Sequence, residues 1–120
     1  MTLPQSVPSH ERRKYPRYFV TLKMTMAIED KSLQEPLGLA EPDDISLGGV
    51  RVRNLPACQE VKVGDHLELL LIDREDALSL NGEVVHHATP DTFGVEFIDL
   101  SQGQELAVRG IISRLHDLST

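Results

Sequence analysis

Tryptophan is absent from these 120 residues, and tyrosine and phenylalanine together number only five. A core built from such a chain must be mainly aliphatic, and aromatic faces on which single-stranded nucleic acid could stack are lacking. Cysteine occurs once, at Cys58, so no internal disulfide can form and a reducing compartment is the simpler setting. Long apolar runs are missing too. The longest, at residues 69–72, is far short of the roughly 20 residues a membrane-spanning helix needs. The opening "MTLPQSVPSH" has no apolar stretch of the kind a secretory leader carries. Together these absences lead us to expect a cytoplasmic protein with no membrane insertion. Positive charge is also scarce: 12 Lys and Arg stand against 19 Asp and Glu, a formal net charge of −7. Broad nucleic-acid binding needs a basic surface several phosphates long, so no nucleic-acid partner is expected.

The positive charge that exists is concentrated. Residues 1–23 carry five Lys or Arg and one Glu, whereas residues 24–120 carry seven against eighteen acids. The stretch "HERRKYPR" (10–17) gathers four cationic side chains in eight residues. Proline after Tyr15 biases that tyrosine away from the helical region, so the arm is expected to be extended. Five extended residues reach on the order of 15 Å, enough for Arg13 and Arg17 to grip different parts of one nucleotide-sized ligand. Arginine binds phosphate bidentately, pairs with the O6/N7 edge of guanine and stacks on bases, the last two being poor tasks for lysine. Arg12, Arg13 and Arg17 therefore suit a guanine nucleotide better than a generic anion. The plainer reading is a solvated basic tail following a disordered leader at 1–9.

From residue 18 the pattern is that of strands. Val20, Leu22, Met24, Met26 and Ile28 alternate with polar or small residues, predicting a half-buried strand with the methionines in the core. Further extended segments follow at 37–45, 50–54, 66–72, 78–86 and 93–98. Polar turns at 29–36, 46–49, 63–65, 73–76 and 89–92 separate most of them. Gly82 is expected to mark a bulge or bend. About six short strands at regular spacing favour a small antiparallel barrel. Ser101 followed by Gln104 forms a capping box. Val108, Ile111, Ile112 and Leu115 then give an apolar stripe at helical spacing, so 101–118 is expected to be a C-terminal helix, weakened by Gly110. The predicted fold class is mainly β: a six-stranded antiparallel β-barrel with a C-terminal α-helix and a flexible N-terminal arm. Arm (10–17), barrel (18–99) and helix form a single domain over 10–120.

A second motif lies at Asp44-Ile-Ser-Leu-Gly-Gly49, a DxSxxG spacing. Asp44 is an acceptor-only carboxylate, matched to guanine's N1–H and N2–H₂ donors. Ser46 lies two residues on, on the same side of an extended chain. Gly48 and Gly49 permit positive φ and the close approach of a flat base. The plainer alternative is an Asx- or Ser-type turn joining two strands.

With both motifs in place the sequence resembles the PilZ family, bacterial receptor domains for the second messenger cyclic di-GMP. Arg13 and Arg17 match the family's RxxxR, and Asp44, Ser46 and Gly49 match its [D/N]xSxxG. "LGGVRV", "VGD" and "FGVEFIDLS" are similar to family landmarks, and the resemblance runs from about Glu11 to Leu118. It implies a six-stranded barrel whose arginine arm closes on cyclic di-GMP and signals to a downstream protein. Arg13 and Arg17 would take guanine edges and phosphates, Asp44 and Ser46 would surround one guanine, and Gly48 with Gly49 would keep its approach open. Arg12, just before the motif, favours a self-stacked pair of ligands. Ordering the arm costs entropy that charge-assisted bonds and stacking must offset.

Other constellations point nowhere sharper. His86 and His87 are adjacent on a strand and face opposite ways, and with no CxxC no metal site is expected. Cys58 has no histidine at motif spacing and reads as a half-buried thiol. Asp73, Glu75 and Asp76 form a charged turn, and Asp43-Asp44 lacks the further ligands of two-metal chemistry. No catalytic residues, cofactor or enzymatic activity are expected. Arg51 and Arg53 face outward beside the glycine motif, either adding positive potential near the phosphates or solubilising that face. Two other functional classes compete: a nucleotide-independent PilZ-like adaptor, against which both intact motifs argue, and an RNA- or single-stranded-DNA-binding barrel, against which the acidic body argues.

Overall fold

The computed structural model describes residues 15–74 and 76–119. Arg12, Arg13 and the expected disordered leader lie outside the described residues. Among the described residues, seven strands and one α-helix follow in chain order: β1 (Tyr18–Phe19), β2 (Thr25–Asp30), β3 (Glu35–Ile45), β4 (Gly49–Arg53), β5 (His66–Asp73), β6 (Asp76–Thr89), β7 (Thr92–Phe97) and α1 (Gln102–Ser119). The sheet order is β1-β3-β2-β5-β6-β7-β4, and pairing of β3 with β4 closes it. Six antiparallel strands thus form the expected closed barrel, and the two-residue β1 lies on the outer edge of β3. β3 achieves closure by its length. Residues 35–40 pair with β2 on one edge, while residues 41–45 pair with β4 on the other.

Period-2 alternation fills the barrel. On β5, Leu67, Leu69 and Leu71 are buried while Glu68 and Leu70 face out; on β7, Phe93, Val95 and Phe97 point inward. Met24, Met26 and Ile28 lie in the core as their spacing predicts. The expected first strand from Val20 is corrected, however. Phe19 pairs with Asp44 and Met26 with Ala40, in different registers, so the chain between must jog, and regular pairing resumes only at Thr25. Gly82 is corrected as well. It sits in regular pairing with Leu67 and Phe97, and the irregularities of β6 fall later, between Val84 and His86 and between His87 and Thr89. What Gly82 provides is room, since a Cβ there would overlap the Val95 side chain.

The helix begins as the capping box predicts. The Ser101 N–H donates to Gln104 Oε1 at 2.8 Å, and the Gln104 N–H donates to Ser101 Oγ at 3.1 Å. Gln104 also donates to the Ser79 carbonyl on β6 at 2.7 Å, and Arg114 pairs with Asp73 at the end of β5 at 2.7 Å. Val108, Ile111 and Leu115 are buried, and Tyr18 of β1 stands edge-on to His116 with ring centroids 6.0 Å apart. The helix therefore holds β1 from behind. Gly110 faces open space. Gly110→Ala is expected to stabilise the protein by up to about 1 kcal/mol through helix propensity, visible as a higher thermal midpoint.

Cys58 is more buried than the sequence suggests, at 5% exposed, inside a short 3₁₀ turn, Cys58–Glu60. Burial, and secondarily Asp91, pushes its thiol pKa up, the opposite of what a nucleophile needs. His87 lies near the Thr89 and Cys58 carbonyls. The His86 ring lies over Gly94, where a Cβ would meet it. Among the described residues no cluster of three or more His, Cys, Asp or Glu could hold a metal, and no helix is long and apolar enough to cross a membrane.

Candidate functional site

The DxSxxG motif is the turn between β3 and β4. The Ser46 N–H donates to the Gly49 carbonyl at 2.9 Å. Ser46 Oγ accepts from the Gly48 and Gly49 N–H groups at 3.1 and 3.2 Å, so the hydroxyl acts first as a brace for the turn. The Phe97 N–H bonds the Gly48 carbonyl at 2.9 Å and ties the turn to β7. Neither Gly48 nor Gly49 adopts positive φ; Gly38 and Gly64 are the glycines that do. This corrects the expected positive φ at the two glycines. Gly49 is side-chain-free because a Cβ there would overlap the Val95 carbonyl oxygen of β7, whereas a Cβ at Gly48 would only press on the Tyr15 ring. Ser46→Ala deprives two N–H groups of their acceptor and is expected to cost about 1–3 kcal/mol of stability, measurable by denaturant unfolding.

Asp44 stands at the turn's entrance. A register shift between Pro42 and Asp44 places Asp43 and Asp44 on the same cavity, and a proline, which cannot donate to a ladder, is at home beside such a bulge. Asp44 is 7% exposed and lies directly across from Arg51 on β4. Pairing of Phe19 with Asp44, together with the Val20 N–H bond to the Asp43 carbonyl at 3.0 Å, lays the end of the basic arm along β3. Arg17 consequently comes within 3.7 Å of one Asp44 oxygen, and Arg51 Nε lies 3.6 Å from the other. Both distances exceed the 2.7–2.9 Å or so of a formed charge-assisted bond.

These groups surround an open cavity of about 600 Å³ lined by Tyr15, Pro16, Arg17, Phe19, Asp43, Asp44 and Arg51, within the range of small-molecule sites. Arg53 does not line it but pairs with one lining residue, Asp43, at 3.2 Å, and with Glu41 at 3.4 Å. Of the expected site residues, Arg17 and Asp44 line the cavity. Ser46, Gly48 and Gly49 form the turn that supports it, and Arg12 and Arg13 lie outside the described residues. Tyr15 and Phe19 line it unexpectedly. Phe19 is 75% exposed, and an outward aromatic beside a basic arm was the available signal. A second cleft of about 580 Å³ lies behind the arm, lined by Arg17, Tyr18, Phe19, Thr21, Leu115 and Leu118.

Comparison with known proteins identifies the family and the fold. The family model of the PilZ domain matches residues 11–114. No curated protein sequence matches. Among solved structures, the fold is similar to the PilZ domain of YcgR from Escherichia coli, solved with c-di-GMP, at a TM-score of 0.70 and 17% identity over 90% of this chain and 94% of that one. It is similar to MrkH of K. pneumonia in its c-di-GMP complex, at 0.71 and 16% over 90% and 54%. It is also similar to the Bacillus subtilis inhibitor of motility MotI/DgrA, at 0.65 and 19% over 88% and 52%. The chain spans about half the length of these last two. The family match covers both motifs, the barrel and most of the helix, and the chain belongs to the PilZ domain family.

Proposed function

We propose that this protein is a receptor for cyclic di-GMP, a cytoplasmic bacterial effector rather than an enzyme, whose arginine arm closes on the nucleotide and signals to a partner protein. The observation that carries this reading is the meeting of the two motifs: Arg17 and Asp44 share one cavity, 3.7 Å apart. Charge supplies a second support. Arg17 and Arg51 both approach Asp44, and Asp43 is paired with Arg53, which leaves about one positive charge at the cavity, so a dianionic ligand calls for further cations. Arg12 and Arg13 stand three and two residues before Tyr15, the first lining residue in sequence, and would supply them. The Asp44 carboxylate would take guanine N–H donors, while Arg17 would take phosphate or the guanine O6/N7 edge. Structures similar in fold were solved with c-di-GMP.

Arg17 and Phe19 line both the ligand cavity and the cleft against α1. Drawing Arg17 toward the nucleotide would reshape that cleft, which gives bound ligand a route to a partner-facing surface. Arg12 favours a self-stacked pair of ligands. Calorimetric titration tests the reading. Cyclic di-GMP is expected to bind in the micromolar range or tighter, at two ligands per protomer, and cyclic di-AMP, which lacks guanine's edge, far more weakly. Saturation at one per protomer removes the paired ligand. Absence of saturable heat with either dinucleotide favours the nucleotide-independent adaptor instead.

A further inference from the structure

Arg51 belongs to neither motif, yet its surroundings single it out. Its Nε is the one buried side-chain nitrogen or oxygen among the described residues without a hydrogen-bond partner. Buried N–H groups are ordinarily satisfied, and one left open in a lined cavity calls for an acceptor. The carboxylate opposite it, at Asp44 Oδ2, stays 3.6 Å away, beyond hydrogen-bond reach. Backbone pairing accounts for the shortfall. Arg51 sits in fixed register between Asp44 on β3 and Gly94 on β7, so the strand holds its stem while Asp44 is also drawn toward Arg17. Gly94 brings no side chain of its own that could serve as acceptor. The Arg51 side chain as a whole is 27% exposed and lines the same cavity as Arg17, so a ligand entering there meets its guanidinium, and a turn of that group would bring the buried Nε–H to it.

From this arrangement we infer that Arg51 is a further ligand-contacting arginine, outside both motifs, whose Nε–H is kept for an anionic phosphate oxygen of the bound dinucleotide. Arg17 comes from the arm and Arg51 from the barrel wall. The two reach Asp44 from different elements, so phosphate on the Arg51 side would fix the ligand to the rigid barrel before the arm is engaged. A guanidinium presents Nε–H and a terminal N–H as a planar fork matched to a phosphate. Lysine at this position keeps the charge and loses the fork.

The inference rests on the cyclic di-GMP reading, and its test separates the two. Cyclic di-GMP is titrated into wild type, Arg51→Ala and Arg51→Lys, with thermal midpoints confirming that each is folded. Wild type is also followed by ¹H–¹⁵N spectra of its arginine Nε–H groups, the Arg51 signal being the one missing from Arg51→Lys. Arg51→Ala is expected to lose on the order of 10- to 100-fold in affinity, as for one charge-assisted bond, with Arg51→Lys recovering little of it. The Arg51 Nε–H resonance should move on saturation. Wild-type saturation with an unmoved Arg51 resonance, or full affinity in Arg51→Lys, overturns the role of Arg51 and leaves the receptor reading standing. A wild type that never saturates overturns both.

Discussion

Arg17→Ala is expected to weaken cyclic di-GMP binding by about 100-fold while leaving the fold intact. One guanidinium making two charge-assisted hydrogen bonds accounts for that size, each such bond being worth about 1.5–3 kcal/mol. Part of the gross gain is offset by the Asp44 contact that Arg17 gives up on turning to the ligand. Stability should hardly change. The Arg17–Asp44 separation of 3.7 Å and the partial exposure of Arg17 make the unliganded pair a weak one, and the barrel's core lies elsewhere. Arg17→Lys should recover only a small share, because an ammonium lacks the planar fork. Calorimetry on the three proteins, with thermal melts beside it, measures this. Equal affinity in wild type and Arg17→Ala would remove Arg17 from the site.

Gly49→Val is expected to cost at least about 3 kcal/mol of stability, at or beyond the upper end of the usual cost of overpacking. The added Cβ would overlap the Val95 carbonyl oxygen and come within 3.2 and 3.3 Å of the Val95 carbonyl carbon and Glu96 Cα. All three are backbone atoms of β7, which cannot rotate aside as a side chain would. Gly49 cannot retreat either. Its N–H is held by Ser46 Oγ, its carbonyl accepts the Ser46 N–H, and its neighbour's carbonyl is held by Phe97. The result should be loss of the β4–β7 contact and a large fall in the denaturation midpoint, with or without nucleotide. Gly48→Ala is the contrast. Its Cβ would press on the Tyr15 ring at 3.0 Å and meet Ser46 Oγ at an ordinary 3.8 Å, and a ring on the arm can give way, so stability should be nearly unchanged. If Gly49→Val kept its midpoint and lost only ligand binding, the glycine would serve the nucleotide and not the barrel.

These glycines mark where the sequence was legible and where it was not. Alternation located the strands because each buries one face: Leu67, Leu69 and Leu71 announce β5, and Phe93, Val95 and Phe97 announce β7. The capping box at Ser101 and Gln104 announced the helix because its bonds are local. The first strand was misjudged, since alternation through Val20 and Leu22 says nothing about a change of register against β3. Positive φ expected at Gly49 and a bulge expected at Gly82 are local features, whereas what a Cβ would meet at both is the neighbouring strand β7, distant in sequence. Motif spacing brought out Arg17 and Asp44. Arg51 stayed undecided, because an outward arginine on a strand looks the same in sequence whether it meets solvent or lies opposite Asp44.

A crystal structure of the protein grown with cyclic di-GMP tests the union of the two motifs most directly. The expected result is nucleotide density in the cavity beside β3, with a guanine edge on Asp44 and Arg17 turned from that carboxylate onto the ligand. Nucleotide bound elsewhere on the barrel, with Arg17 and Asp44 still facing each other, would contradict it.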